Sequence, residues 1–168
     1  MLMSFLYGLI GIVLLTAFCL IGAFLVPQNA YWFMTPKTIK ILEEAGISRK
    51  FHLRDKIILG ILIAITGGGM IATIILAGKQ GVSSGMSFME LSTRFVIFFW
   101  TVSIFDAIVL DWWMFTKTDM FGIWLKKKTG KAPLAWRVDP QWDGKEIHKL
   151  VIEIVVSVAL AWAFLKIG

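Results

Sequence analysis

Apolar positions in this chain fall into four long, nearly charge-free blocks, not the alternating or three-to-four spaced patterns of half-buried strands and helices. The first, residues 5–26, reads FLYGLIGIVLLTAFCLIGAFLV and is closed by Pro27, Gln28 and Asn29. A secretory signal has a basic leader and an apolar core of roughly 7–15 residues, so this uncharged and longer run is expected to persist as a helix. The second, residues 57–77, lies between Arg54-Asp55-Lys56 and Gly78-Lys79-Gln80. The third covers residues 95–115 and the fourth residues 150–165. Each approaches the roughly 20 residues that an apolar helix needs to cross hydrocarbon. The pattern predicts an all-α integral membrane four-helix bundle forming a single transmembrane domain over residues 1–168.

The connections carry their own patterns. In TPKTIKILEEAG, Thr35 is placed to cap a helix, Pro36 to occupy its first position and Gly46 to end it. Ile39 and Leu42 share a stripe, as suits a short helix lying at the membrane interface. The connection after the third span reads TDMFGIWLKKKTGKAPLAWRVDPQWDGKEIHK, aromatic residues followed by three lysines and then by Gly and Pro breaks. That surface suits anionic headgroups, and the second half is expected to be a loop. Most of the eight tryptophans lie near span ends or in these connections, where an indole keeps one wet edge.

Composition agrees with the membrane reading. Hydrophobic residues make up 58% and charged residues 17%, with a mean hydropathy of +0.78, against about 45–50% apolar in soluble domains. The net charge of +6 is concentrated in the first and third connections, with only Lys79 between spans two and three before Arg94. By the positive-inside rule both are cytoplasmic, giving an N-out/C-out protein. No basic, aromatic-interleaved soluble face is present, so nucleic acid is not expected. Cys19 is the single cysteine. The chain has no P-loop, nucleophile elbow or HExxH, and its two histidines fall outside mid-span. Neither nucleotide nor haem is expected.

Two features remain that could carry chemistry. SIFDAIVLDWWMF places Asp106 and Asp111 within the third span, and Glu153 lies inside the fourth, with His148 before it. An ionised group at mid-membrane costs from about 2.5 to more than 10 kcal/mol, so these acids are expected to face other helices and find partners. In an α-helix, Ser103 and Asp106 share a face, whereas Asp106 and Asp111 do not. Asp111 and Glu153, on different spans, could meet. The second feature is a stripe of small residues, Gly60, Ala64, Gly68 and Ala72, that would let a helix approach closely, from the same chain or from a second copy.

The FD and LDW pattern of the third span (Phe105, Asp106, Leu110, Asp111, Trp112), the proline-led TPKTIKIL and the histidine at the start of the last span resemble an uncharacterised group of bacterial four-helix inner-membrane proteins. The resemblance implies four spans and an acid-bearing helix, and no particular activity. The long basic loop departs from that pattern.

Several functions suit these residues. Asp106, Asp111, Glu153 and Ser103 could line a polar path for a proton, a cation or a small polar solute. Alternatively Asp111, His148, Glu153 and His52 could hold a divalent metal in an enzyme acting on a lipid or isoprenoid. The chain could also be a non-catalytic subunit of a membrane complex, its acids neutralised by nearby basic groups.

Overall fold

The computed structural model describes residues 2–26, 39–40, 43–44, 46, 50–118, 126, 130 and 145–167. Among these residues the structure is helical: α1 (Leu2–Leu25), α2 (Leu53–Ser83), α3 (Phe88–Phe105) and α4 (Lys145–Ile167). A π-helical segment continues α3 from Asp106 to Lys117. Four spans, Leu2–Gly22, Leu53–Ser83, Phe88–Met114 and Ile147–Ile167, are long and apolar enough to cross a membrane. This is an all-α, multi-pass membrane protein.

The spans run past their expected ends, and local hydrogen bonding explains where they stop. α2 does not end at Gly78 but continues through Lys79 and Gln80 to Ser83. Gly85 there takes φ +69°, the Gly85 amide donates to the Val82 carbonyl (2.9 Å) and the Met86 amide to the Gly81 carbonyl (3.1 Å). These paired bonds close the helix in a Schellman motif, which a residue with a Cβ would strain. One residue later Ser87 caps α3: its hydroxyl accepts from the Glu90 amide at 3.4 Å, and the Glu90 carboxylate accepts from the Ser87 amide at 2.8 Å. This reciprocal box sets the start of α3 at Phe88, seven residues before the expected 95. At the other end of α2 the His52 amide donates to the Asp55 carboxylate (3.1 Å), satisfying one of the first free amides.

Of the connector helix expected between Thr35 and Gly46, the described residues Ile39, Lys40, Glu43 and Glu44 are helical. Gly46, at φ +76°, donates to the Glu43 carbonyl. The remainder of that connector and nearly all of the basic loop after Thr118 lie outside the described residues.

The chain forms two compact units. The first comprises Met1–Leu15, Thr66–Asp106 and Trp142–Gly168, and the second Thr16–Ile65 and Ala107–Gln141. In the first unit Ala77, Leu91, Phe95 and Ala161 form a buried core, with Tyr7, Phe99 and Phe164 packed on it. The Phe95 and Phe164 rings stack at 5.8 Å. Glycines create the close approaches. A Cβ on Gly78 would fall 2.6 Å from three Phe164 ring atoms, and one on Gly11 2.6 Å from a Val102 methyl. In the second unit Leu110 and Met114 are buried while Trp113 is exposed. The Lys117 ammonium lies 5.6 Å from the Trp112 ring centroid, a pairing suited to the membrane interface.

The small-residue stripe on α2 is not part of this packing. Gly60, Ala64, Gly68 and Ala72 are all exposed, and a Cβ added at Gly60 or Gly68 meets nothing within 4 Å among the described residues. Long apolar side chains such as Val13, Ile65, Ile71 and Val155 are exposed as well. Lipid tails solvate such surfaces, and contact with them leaves no unsatisfied polar group because the helices bond their own backbones.

Candidate intramembrane polar site

The hydroxyl side chains that bond within the spans of the first unit do so in two ways, and the difference marks the site; Thr16 Oγ1, in the second unit, is buried with no partner among the described residues. Thr73, Ser92, Thr93 and Ser157 each donate to the carbonyl four residues earlier, at 2.6–2.8 Å. Their polar atoms are thereby satisfied within one helix. Ser103 instead reaches across to α4 and donates to Oε1 of Glu153. Three residues further along, Asp106 accepts from Lys149 of α4, Nζ to Oδ2 at 3.4 Å. Trp100, one turn before Ser103, donates its indole N–H to the Leu150 carbonyl at 3.3 Å.

All of these groups belong to the first unit. The helices that carry them are antiparallel, since Phe95 meets Phe164 near one end and Asp106 meets Lys149 near the other. The spacing of Trp100, Ser103 and Asp106, one residue every three, brings all three to the same side of α3. The result is a polar seam through an otherwise apolar contact.

Its members differ in how well they are satisfied. Ser103 is buried, and the second oxygen of Glu153, Oε2, is buried with no hydrogen-bond partner among the described residues. The Asp106 and Lys149 side chains are 26% and 43% exposed, so this pair lies at the wetter end. Lys149 is not a loop residue, as its place between the expected spans suggested, but part of the first turns of α4. Glu153 likewise finds Ser103, a partner the sequence did not match to it.

Asp111 is exposed and belongs to the second unit, as does His52, which is also exposed. His148 and Glu153 belong to the first, His148 exposed on α4. Among the described residues no three His, Cys, Asp or Glu side chains gather where they could hold a metal ion. The angular separation expected between Asp106 and Asp111 assumed α-helical winding. The span changes to i→i+5 winding at Asp106, so that angle does not apply to this stretch. Interruptions of this kind occur often at functional positions of helices.

Arg94 was legible only as a charge near the start of a span. It is 3% exposed, and its Nη1 donates to the Ala77 carbonyl at 3.0 Å and to Oε1 of Gln80. The guanidinium also lies 6.0 Å from the Tyr7 ring centroid. These partners tie α1, α2 and α3 of the first unit together. The cation sits within the last two turns of α2, where the helix dipole is negative. Gln80, three residues after the last apolar residue of the expected second span, was the available signal, since an amide there can accept from a passing arginine.

No protein-family model, curated protein or solved structure matches this chain.

Proposed function

We propose that this protein carries protons or other small cations across a membrane, using the polar seam of Ser103, Glu153, Asp106 and Lys149 as the step through the apolar interior. The observation that carries the reading is the bare, buried Oε2 of Glu153 beside a carboxylate that a lysine already neutralises. A helix contact needing only adhesion could use hydroxyls bonded within their own helices, as Thr73 and Ser157 are. A carboxyl group with one open oxygen is a place where a positive charge can arrive and leave.

The concentration of Lys and Arg in the first and third connections supports an N-out/C-out orientation, and the third-span pattern supports a bacterial inner membrane. The basic third connection would then rest on anionic headgroups.

The test is flux. Purified protein in liposomes under an imposed pH or potential gradient is expected to dissipate it, and Glu153→Gln to reduce the rate at least about 100-fold, as removal of an obligatory polar relay should. Circular dichroism would check that the variant remains helical. Wild-type liposomes that move no proton or cation under either gradient would remove the reading.

A further inference from the structure

We propose that the species carried is a proton, that Glu153 holds it inside the membrane, and that Lys149 is a tethered countercation that passes between Asp106 and Glu153 as the proton moves. This rests on the transport reading above and narrows it.

The Glu153 carboxyl has one satisfied oxygen and one bare one. Oε1 accepts from Ser103, while Oε2 is buried without a partner among the described residues. As a carboxylate it would hold charge with Ser103 as its one donor among the described residues; a proton on Oε2 removes that charge. A metal cation requires a shell of several oxygen ligands. The groups that face the seam are a serine hydroxyl already donating and a lysine ammonium, both suited to a carboxyl group and not to a metal ion.

Lys149 precedes Glu153 by one helical turn, four residues, so both side chains project from the same face of α4. Its contact with Asp106, 3.4 Å, is longer than the roughly 2.7–2.9 Å of a tight charge-assisted bond. The side chain is 43% exposed on a flexible stem, and is therefore free to turn. The other titratable groups around the seam are few. At this end α3 leads to Asp106, and α4 carries Lys145, Glu146 and the exposed His148 beside Lys149 in its first turns. The part of α1 in this unit has only Tyr7, which lies under Arg94, and the part of α2 has only the exposed Lys79 near its far end.

The exchange balances. The O–H bond at Oε2 of Glu153 breaks and an O–H bond forms on the Asp106 carboxylate, while the Lys149 ammonium leaves Asp106 for Glu153. Before the step Glu153 is neutral and Asp106 is paired; after it Asp106 is neutral and Glu153 is paired. No uncompensated charge appears in the apolar region at either stage. Asp106, at the wetter end, then releases the proton to water, and Lys149 returns to it as Glu153 takes up the next proton from the opposite side, which restores the starting state.

Infrared spectroscopy of the full chain in liposomes tests this without relying on flux. At pH 7 the wild type is expected to show a carboxylic-acid carbonyl band that shifts in D2O, moves on carbon-13 labelling of glutamate and is absent in Glu153→Gln. A band that glutamate labelling leaves in place overturns the assignment, even if the Glu153 variant does not fold. Asp106→Asn removes the carboxylate that holds Lys149 at the wetter end and leaves Glu153 as its partner within the seam, so the band is expected to be lost, and to return in Asp106→Asn/Lys149→Met. A band equally strong in Asp106→Asn overturns the exchange. Liposomes with the band but no flux would sink the transport reading and leave Glu153 protonated; flux without the band would do the reverse.

Discussion

Arg94 lies near the start of α3 and Asp106 at its end, and the first unit treats the two charges in opposite ways. Arg94 is fixed. Its acceptors are a backbone carbonyl and a glutamine side chain on α2, its ring partner is Tyr7, and almost none of it is exposed. Asp106 is held by a half-exposed lysine, one turn from a Glu153 oxygen that has no partner among the described residues. The first arrangement has a single low-energy state because burial and a backbone acceptor hold Nη1 in place, although Nε, too, is buried without a partner among the described residues. The second has more than one, because a long flexible ammonium stands within a turn of two carboxyl groups. Stability is therefore expected to depend on the Arg94 end and activity on the Asp106 end.

The largest separation of the two should come from Arg94→Ala and Lys149→Met. Arg94→Ala leaves the Ala77 carbonyl and the Gln80 amide without their donor and opens space beside the core. It is expected to lower stability by about 3 kcal/mol, the scale of two lost bonds to a charged group. Lys149→Met removes a half-exposed ion pair, worth under about 1 kcal/mol, yet should slow flux severely. Unfolding in mixed micelles and flux per folded molecule measure the two effects separately. Equal destabilisation by both variants would erase the distinction.

A smaller effect should come from Gly78→Ala, which probes the packed side of α2 near Arg94. The new methyl meets the Phe164 ring at 2.6 Å, and that ring is stacked on Phe95, so it can shift only by disturbing the core. Overpacking of this sort costs about 1–3 kcal/mol. A thermal unfolding midpoint unchanged from the wild type would mean that the Arg94 end is looser than its burial indicates.

How much of this contrast was legible depends on which kind of information each part needs. The four spans could be read from composition, because a block such as residues 5–26 has no competing use in a chain this apolar. The α2–α3 turn was also written locally, in Gly85 and in Ser87 followed by Glu90, but hydropathy ends a helix where charge begins, at Lys79, and so stopped α2 early. Asp106 and Glu153 stood out as acids in lipid. Their partners did not, because the match of Ser103 to Glu153 and of Asp106 to Lys149 is a register between two antiparallel helices, which neither sequence contains alone. The π winding after Phe105 had no sequence signal that we can identify.

The smallest effect is expected at Gly68, on the same helix as Gly78 but on its open side. The stripe of Gly60, Ala64, Gly68 and Ala72 shows that α2 has a smooth face; periodicity cannot say what, if anything, lies against it. Within the chain the close glycine contacts of α2 fall elsewhere, at Gly69 against Leu14, Gly78 against Phe164 and Gly81 against Leu91. A methyl at Gly68 meets nothing within 4 Å among the described residues, so Gly68→Ala should change stability by no more than the roughly 1 kcal/mol gain of alanine over glycine in a helix, and should leave flux alone. Gly68→Leu makes the comparison sharper. A lipid-facing position accepts leucine without loss, whereas a close helix contact between two copies through this face would be forced apart. Unfolding of Gly68→Leu, with its size on a gel-filtration column beside the wild type, reads both: unchanged stability and size mean that the face meets lipid, and a fall in size means that it meets a second chain.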